Sequence, residues 1–244
     1  MLRTSRDRAD DGRIKQWKPL KKFRSNLALR VDMEASFWHQ KWEKGDIGFH
    51  KSEANPLLIQ HLEELKLAKS SRIFLPLCGK TRDFAWLLAS GYRVVGAELS
   101  ELAINELFDE LGVEPKISRV GELTLYHAKD IDIWVGDIFD VSAEVLGLVD
   151  AVYDRAALVA MPANKRDQYT SHLMKITDTA PQLLICYDYN QRLMDGPPFS
   201  INEEEVKHHY ADAYQLQPVE SKDTVGGLKG VAAIETVWLL QKAK

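Results

Sequence analysis

Apolar residues along this chain fall into short unbroken runs that alternate with stretches repeating every three or four positions. The run at residues 73–77 (I-F-L-P-L) is long enough for a buried strand and too short for a helix. A turn at Cys78-Gly79-Lys80 follows. Phe84, Leu87 and Leu88 then mark the apolar face of a helix, which Gly91 ends. Residues 94–97 make a second apolar strand, with Glu98 at its end. This is one β-α-β unit, and such units close right-handed with their strands parallel.

The same patterns extend in both directions. Trp38 and Trp42 lie four apart and share a helix face. Gly45 and Gly48 break that helix, and Ile47, Phe49 and His50 follow in a loop. Asn55-Pro56 caps a helix whose Leu57, Leu58, His61, Leu62 and Leu65 form a core stripe, so His61 reads as structural. Ser100 caps a further helix (Leu102, Ile104, Leu107, Phe108), with Glu101 at its positive end and Gly112 after it. Leu123, Leu125 and Tyr126, a Lys129-Asp130 turn, then Ile131, Ile133 and Trp134 predict a hairpin running into Gly136-Asp137-Ile138-Phe139. Residues 149–153 predict a fourth main strand, with Asp154-Arg155 at its carboxyl end.

Pro162 starts a helix at its first position, with Tyr169, Leu173 and Ile176 inward. Residues 183–187 predict a fifth strand, and a stiff Gly196-Pro197-Pro198 loop follows. Ser200 and Glu203 predict a capping box for a helix through His208-His209. Two final strands, around 214–219 and 231–240, predict an antiparallel pair at the sheet edge. Helices alternating with strands predict an α/β doubly wound sheet.

Composition adds bounds. Length, 244 residues with 45% hydrophobic, suits one domain or at most two. No apolar run approaches the ~18 residues of a membrane span, and no signal peptide opens the chain. Two cysteines, Cys78 and Cys186, cannot build a disulfide scaffold, which points to a reducing cytoplasm. Residues 1–32 carry ten Lys/Arg against four Asp/Glu, leaving the rest of the chain acidic within a net charge of −4. With little periodic apolar content, and with Met33 as a natural start, residues 1–32 read as a disordered basic extension of a single domain at 33–244.

The chemistry starts from the β-α-β unit. Gly79 lets a ligand approach the backbone at a helix N-terminus. Glu98 stands about 20 residues on, where ribose hydroxyls are held in nucleotide-binding versions of this fold. The turn lacks G-x-G-x-x-G, which counts against a dinucleotide and allows a nucleoside ligand without phosphate, such as S-adenosylmethionine. A plain solvated charge at Glu98 stands as the alternative. Cys78 beside a helix N-terminus can act as a nucleophile, although no histidine lies in a recognisable partner context. Arg155 reads either as a cation at the site or as half of a surface ion pair with Asp154. His208 and His209, adjacent on a helix, cannot face one way, so no metal site is expected.

Several stretches resemble the thiopurine S-methyltransferase family in its bacterial form. They are F-W-H-Q-K-W-E-K-G-D-I-G-F-H (37–50), F-L-P-L-C-G-K (74–80), V-V-G-A-E-L-S (94–100), G-D-I-F-D (136–140), Y-D-R-A-A-L-V-A (153–160) and D-G-P-P-F (195–199). They keep the family's order and cover the chain from about residue 35 onward. The resemblance implies a Rossmann-like class I methyltransferase fold with a seven-stranded, mostly parallel sheet, an antiparallel edge pair and helices on both faces. It implies S-adenosyl-L-methionine as cofactor, held by Trp42, Leu77, Glu98, Asp137, Ile138 and Arg155. Asp137 would accept from the adenine amino group, or be a plain turn aspartate, and Ile138 would pack on the ring.

Phe49, Pro198 and Phe199 would meet the substrate, with Arg155 also the candidate catalytic residue. The implied activity is S-methylation of aromatic and heterocyclic thiols such as thiopurines, with selenium and tellurium compounds as further acceptors. A cytoplasmic monomer taking a small-molecule thiol, with no nucleic-acid or membrane partner, is expected. Two other classes remain open. A nicotinamide-dependent oxidoreductase is opposed by the missing glycines, and a non-catalytic cofactor-binding protein by the retention of Trp42, Leu77, Glu98 and Arg155.

Overall fold

The computed structural model describes residues 35–243, so the expected basic extension at 1–32 lies outside the described residues. The chain divides into two units at residues 37 and 38; of the first, residues 35–37 are described and are helical. In the second, α1 runs on through residues 38–43. There follow α2 (Pro56–His61), β1 (Arg72–Pro76), α3 (Asp83–Ala89), β2 (Arg93–Glu98), α4 (Glu101–Leu111), β3 (Lys116–Val120), β4 (Leu123–Ala128) and β5 (Ile131–Val135). The chain continues with α5 (Ala143–Leu146), β6 (Ala151–Arg155), α6 (Ala163–Ile176), β7 (Gln182–Tyr189), α7 (Glu203–Tyr210), β8 (Tyr214–Asp223) and β9 (Ala233–Lys242).

All strands join one sheet of order β3-β4-β5-β2-β1-β6-β7-β9-β8. The five central strands, from β5 to β7, pair in parallel, and the pairs at either end are antiparallel. The period-2 alternation of a strand sorts the core into two layers. Along β1, Ile73 and Leu75 pack with Leu57, Phe84 and Ile104 of α2, α3 and α4. Phe74, between them, packs with Leu146, Tyr169 and Val206 of α5, α6 and α7. Both layers exclude water from the strands, which is why the central strands read as continuous apolar runs rather than alternating ones.

Three sequence expectations need correction. The sheet has nine strands in place of seven, because the antiparallel strands β4 and β3 both add beyond the β5 edge. Every β3 side chain is exposed, so it carried no burial pattern to read. The cap of α7 is Asn202, whose side chain accepts from the Glu205 N–H, and not Ser200. Ser200 is spent on the β7 end: its hydroxyl accepts from the Tyr189 N–H at 3.0 Å and donates to Asp188 at 3.4 Å. Pro162 stands at the N-cap of α6, one place before the position expected.

The alternative reading of Arg155 as half of a surface ion pair with Asp154 is excluded, because strand neighbours point to opposite faces. Asp154 is fully buried on the α6 side, accepting from the Tyr169 hydroxyl at 2.7 Å and the Leu158 N–H at 3.1 Å. Burial pushes its carboxyl up to about 6, although the Tyr169 hydroxyl and the Leu158 and Ala157 N–H groups favour the charge. The folded chain therefore keeps a proton between about pH 4 and 6 that the unfolded chain has released. Stability falls as pH rises through that window and stays at the lower level above it. In urea unfolding at pH 4 and pH 7, Asp154→Asn is expected to remove up to about 3 kcal/mol of this decline. An unchanged pH slope would show that the carboxyl does not carry the effect.

Candidate active site

At the carboxyl edge of the sheet, β2 delivers Glu98 beside the turn that leaves β1. The Glu98 carboxylate accepts from the Gly79 N–H at 2.8 Å through Oε2 and from the Ser100 N–H at 2.9 Å through Oε1. It is buried, and burial raises its pKa, while the N–H groups of Ser100, Gly79 and Leu99 act against the rise. Ser100 in turn caps α4 by accepting from the Ala103 N–H. One carboxylate thus binds the turn after β1 to the start of α4. The solvated-charge reading of Glu98 does not survive its burial.

The turn is backbone-determined. Gly79 has φ +53°, and a Cβ there would lie 3.1 Å from the Trp42 ring, so the indole rests against bare backbone. Leu77, with φ +46°, adopts a left-handed conformation that costs a non-glycine roughly 1–2 kcal/mol. Trp42 is buried and meets the Phe49 ring edge-on at 5.5 Å. The Phe49 carbonyl accepts from Arg155 Nη1 at 3.3 Å. Trp42, Phe49, Gly79, Glu98 and Arg155, drawn from five places in the sequence, are therefore joined by direct contacts.

Beside this cluster, a cavity of about 410 Å³ opens between the ends of β2 and β5, lined by Leu99, Ser100, Val135 and Gly136 and by His39 and Glu43 of α1. Asp137 stands next to it, exposed, its Oδ1 accepting from the Phe139 N–H at 3.0 Å. One oxygen is thereby used as a turn cap. Ile138 is buried behind it.

Arg155 forms no ion pair among the described residues, in contrast to its neighbours Lys80 and Arg82, which are paired to Glu106 and Glu110 of α4. Two groups near it escaped the sequence reading. The Tyr187 phenol is pushed up to about 12 by burial and by the Glu235 carboxylate, with the Arg155 guanidinium opposing, and so stays protonated at neutral pH. His50 is held below its ordinary range by burial first and the Lys80 cation next, with Arg82 and Arg155 adding to the effect and Glu110 opposing. Tyr187 sits on a strand whose apolar run explains it and His50 in a loop, and only the fold brings them to Arg155. Cys78 is buried, and burial and the Glu98 carboxylate raise its thiol well above the ordinary value. That leaves it a thiol and removes the nucleophile reading.

The Gly196-Pro197-Pro198-Phe199 loop is fixed by its own contacts. The Tyr189 hydroxyl donates to the Pro198 carbonyl at 2.7 Å, the Phe199 N–H to the Val159 carbonyl at 2.6 Å, and Lys229 to the Pro197 carbonyl at 3.0 Å. The Phe199 ring lies under the Arg166 guanidinium at 5.4 Å and lines a second cavity of about 590 Å³ with Asp188, Ser200 and Glu205. Among the described residues, no hydrogen bond or ring-to-ring contact joins Pro198 or Phe199 to Phe49.

The sequence profile described as thiopurine S-methyltransferase (TPMT) matches residues 33–243. A thiopurine S-methyltransferase of Xanthobacter autotrophicus is 50% identical over 213 residues, spanning 86% of this chain and all of that protein. One from Gluconobacter oxydans is 45% identical over 205 residues, covering 84% and 93%. Among solved structures, the 1,6-didemethyltoxoflavin-N1-methyltransferase of Burkholderia thailandensis, with S-adenosylhomocysteine bound, superposes with a TM-score of 0.59 at 15% identity, covering 92% of this chain and 93% of that one. A methyltransferase dependent on S-adenosylmethionine from Anabaena variabilis gives 0.57 at 14% identity, covering 85% and 95%. At those identities the superpositions speak for the fold alone. The identities near one half, over nearly the full length of the relatives, go further: this chain belongs to the thiopurine S-methyltransferase family.

Proposed function

We propose that the protein transfers a methyl group from S-adenosylmethionine to the sulfur of aromatic and heterocyclic thiols, thiopurines among them. The observation that carries this reading is Arg155: a guanidinium with no ion pair among the described residues, ending a parallel strand on the ligand edge and bonded to the loop that carries Phe49. The unit doing this chemistry is taken as one domain over residues 33–244, supported by the profile match. A cytoplasmic monomer is proposed as well. Two buried free cysteines support the location, and no helix among the described residues is long and apolar enough to cross a membrane.

The residues present fit the cofactor. A carboxylate accepts about four hydrogen bonds, and Glu98 spends two on backbone, leaving capacity for a ribose diol beside the cavity at β2 and β5. Trp42 against Gly79 offers an aromatic face to a cation, worth ~1 kcal/mol when partly desolvated. Asp137 keeps one oxygen free of the turn it caps, and Ile138 backs it with apolar surface. Leu77 and Arg155 complete the proposed set. When bound, S-adenosylmethionine supplies an electrophilic methyl group on a sulfonium.

The chain's own part is alignment and charge. Phe49 presents a ring edge and face to an aromatic acceptor, with Pro198 and Phe199 assigned to the acceptor side by the family pattern. Arg155 lowers the free energy of an anionic thiolate next to it, which raises the fraction of acceptor that is reactive at neutral pH. Titration with S-adenosylhomocysteine and with NAD, followed by mass spectrometry of an aromatic thiol incubated with S-adenosylmethionine, tests the proposal. Binding of NAD in place of S-adenosylhomocysteine, or absence of an S-methyl product, would overturn it.

Two variants probe the assignments. Glu98→Gln turns an amide NH₂ toward one of the two backbone donors and removes the charge. It is expected to weaken S-adenosylhomocysteine binding by about 1–3 kcal/mol in calorimetric titration. Wild-type affinity would take Glu98 out of the site. Arg155→Lys is expected to slow turnover at neutral pH, because a point charge does not reproduce a planar fork. If the guanidinium serves the thiolate, the deficit shrinks as pH climbs past the acceptor's own pKa, where the anion forms unaided. A deficit that is constant with pH and accompanied by weaker S-adenosylhomocysteine binding would place Arg155 on the cofactor.

A further inference from the structure

Helices α6 and α7 bring together three side chains that take no part in the site above. Asp167 Oδ1 of α6 lies 3.2 Å from His208 Nε2 and 3.1 Å from His209 Nδ1 of α7. All three ligand atoms fall within 4.8 Å of one another. Adjacent helix positions leave the axis about 100° apart, and on that ground the sequence offered no metal site, yet the two rings stand 5.0 Å apart, edge to face. A carboxylate from a second helix changes the geometry, because it is reached by both rings from different sides.

The His209 side chain is only 4% exposed, and although both its nitrogens stand at ion-pair distance from a carboxylate, neither makes a well-aligned hydrogen bond among the described residues. Leaving both buried is costly. Its Nδ1 is directed at Asp167, while Nε2 sits 3.5 Å from Glu205 Oε1, and Glu205 is itself ion-paired to the buried Arg166. A carboxylate behind the far nitrogen of a histidine is the usual outer support of a metal-ligating imidazole, since it fixes the tautomer that leaves the near nitrogen bare. Ligands about 2.1 Å from one tetrahedral ion stand about 3.4 Å apart, a little wider than the 3.2 and 3.1 Å that Asp167 makes with the two histidines.

We propose that Asp167, His208 and His209 bind one divalent transition-metal ion that ties α6 to α7. Two imidazoles and one carboxylate suit Zn²⁺, Ni²⁺ or Co²⁺, and do not suit Mg²⁺ or Ca²⁺, which take oxygen ligands. Asp167 and His208 are largely exposed, so water fills the remaining positions. The site is independent of methyl transfer. Its rival is a His209 ring that bridges Asp167 and Glu205 directly, with no ion.

The test uses the untagged full chain, stripped with chelator and titrated with ZnCl₂ and, separately, with MgCl₂. Zinc is expected to bind at one per chain and magnesium not at all. At 100-fold excess over its Kd, zinc should raise Tm by about 5–10 °C, reversibly on chelation. Asp167→Ala and His208→Ala remove exposed side chains. Each should leave the metal-free Tm and the methyltransferase rate unchanged while weakening zinc at least about tenfold. Absence of saturable zinc binding by the unaltered chain would overturn the proposal in favour of the ion-free bridge. Wild-type zinc affinity in both variants would overturn it too, by placing the ion at other histidines.

Discussion

A single buried carboxylate organises the ligand edge of this protein. Glu98 is taken out of water at the end of β2, and the cost of that burial is offset by N–H groups from two different turns. Because each oxygen is committed to one backbone donor, neither the turn after β1 nor the start of α4 can drift without stranding a buried charge. The same bond explains why Leu77 tolerates a left-handed conformation: the surrounding contacts over-determine the turn. Gly79 completes the arrangement, since a side chain there would push Trp42 off the backbone it rests on.

From that anchor the charges of the site sort by strand geometry. Neighbours on β6 face opposite ways, so Asp154 is committed to Tyr169 inside the α6 layer and Arg155 is released to the other face. Lys80 and Arg82 are paired to α4, whereas Arg155 has no ion pair among the described residues. A cation near aromatic rings, with no ion pair among the described residues, suits an acceptor that reacts as an anion, as a thiol does in its thiolate form.

The two cavities divide the labour differently from their sizes. The smaller, at the ends of β2 and β5, sits where open α/β sheets take their ligands. The larger lies between the G-P-P-F loop and the α6–α7 pair, walled by Arg166 and Glu205. Its wall holds the Arg166–Glu205 ion pair, and it shares Glu205 with the Asp167 and His209 cluster. Rigidity of α7 against α6 therefore bears on how firmly the Phe199 side of the molecule is held.

Sequence alone determined the elements whose cause is local. The β-α-β unit, the caps at Asn55 and Ser100, the left-handed Gly112 and the acidic end of β2 depend on partners within a few residues or on a repeating apolar period, and both survive without knowledge of the fold. Motif order carried the family. The tertiary structure decided everything whose partners are distant. Strand β3 exposes all its side chains, so nothing in its pattern distinguished it until β4 supplied hydrogen bonds. Asn202 displaced Ser200 as the α7 cap because Ser200 found Tyr189 across the loop. Tyr187 and His50 joined Arg155, and Asp167 met two histidines some forty residues away, only through packing. Local hydrogen bonds and periodicity are written in a few adjacent residues, whereas a site is a coincidence of chain ends that close packing alone brings into register.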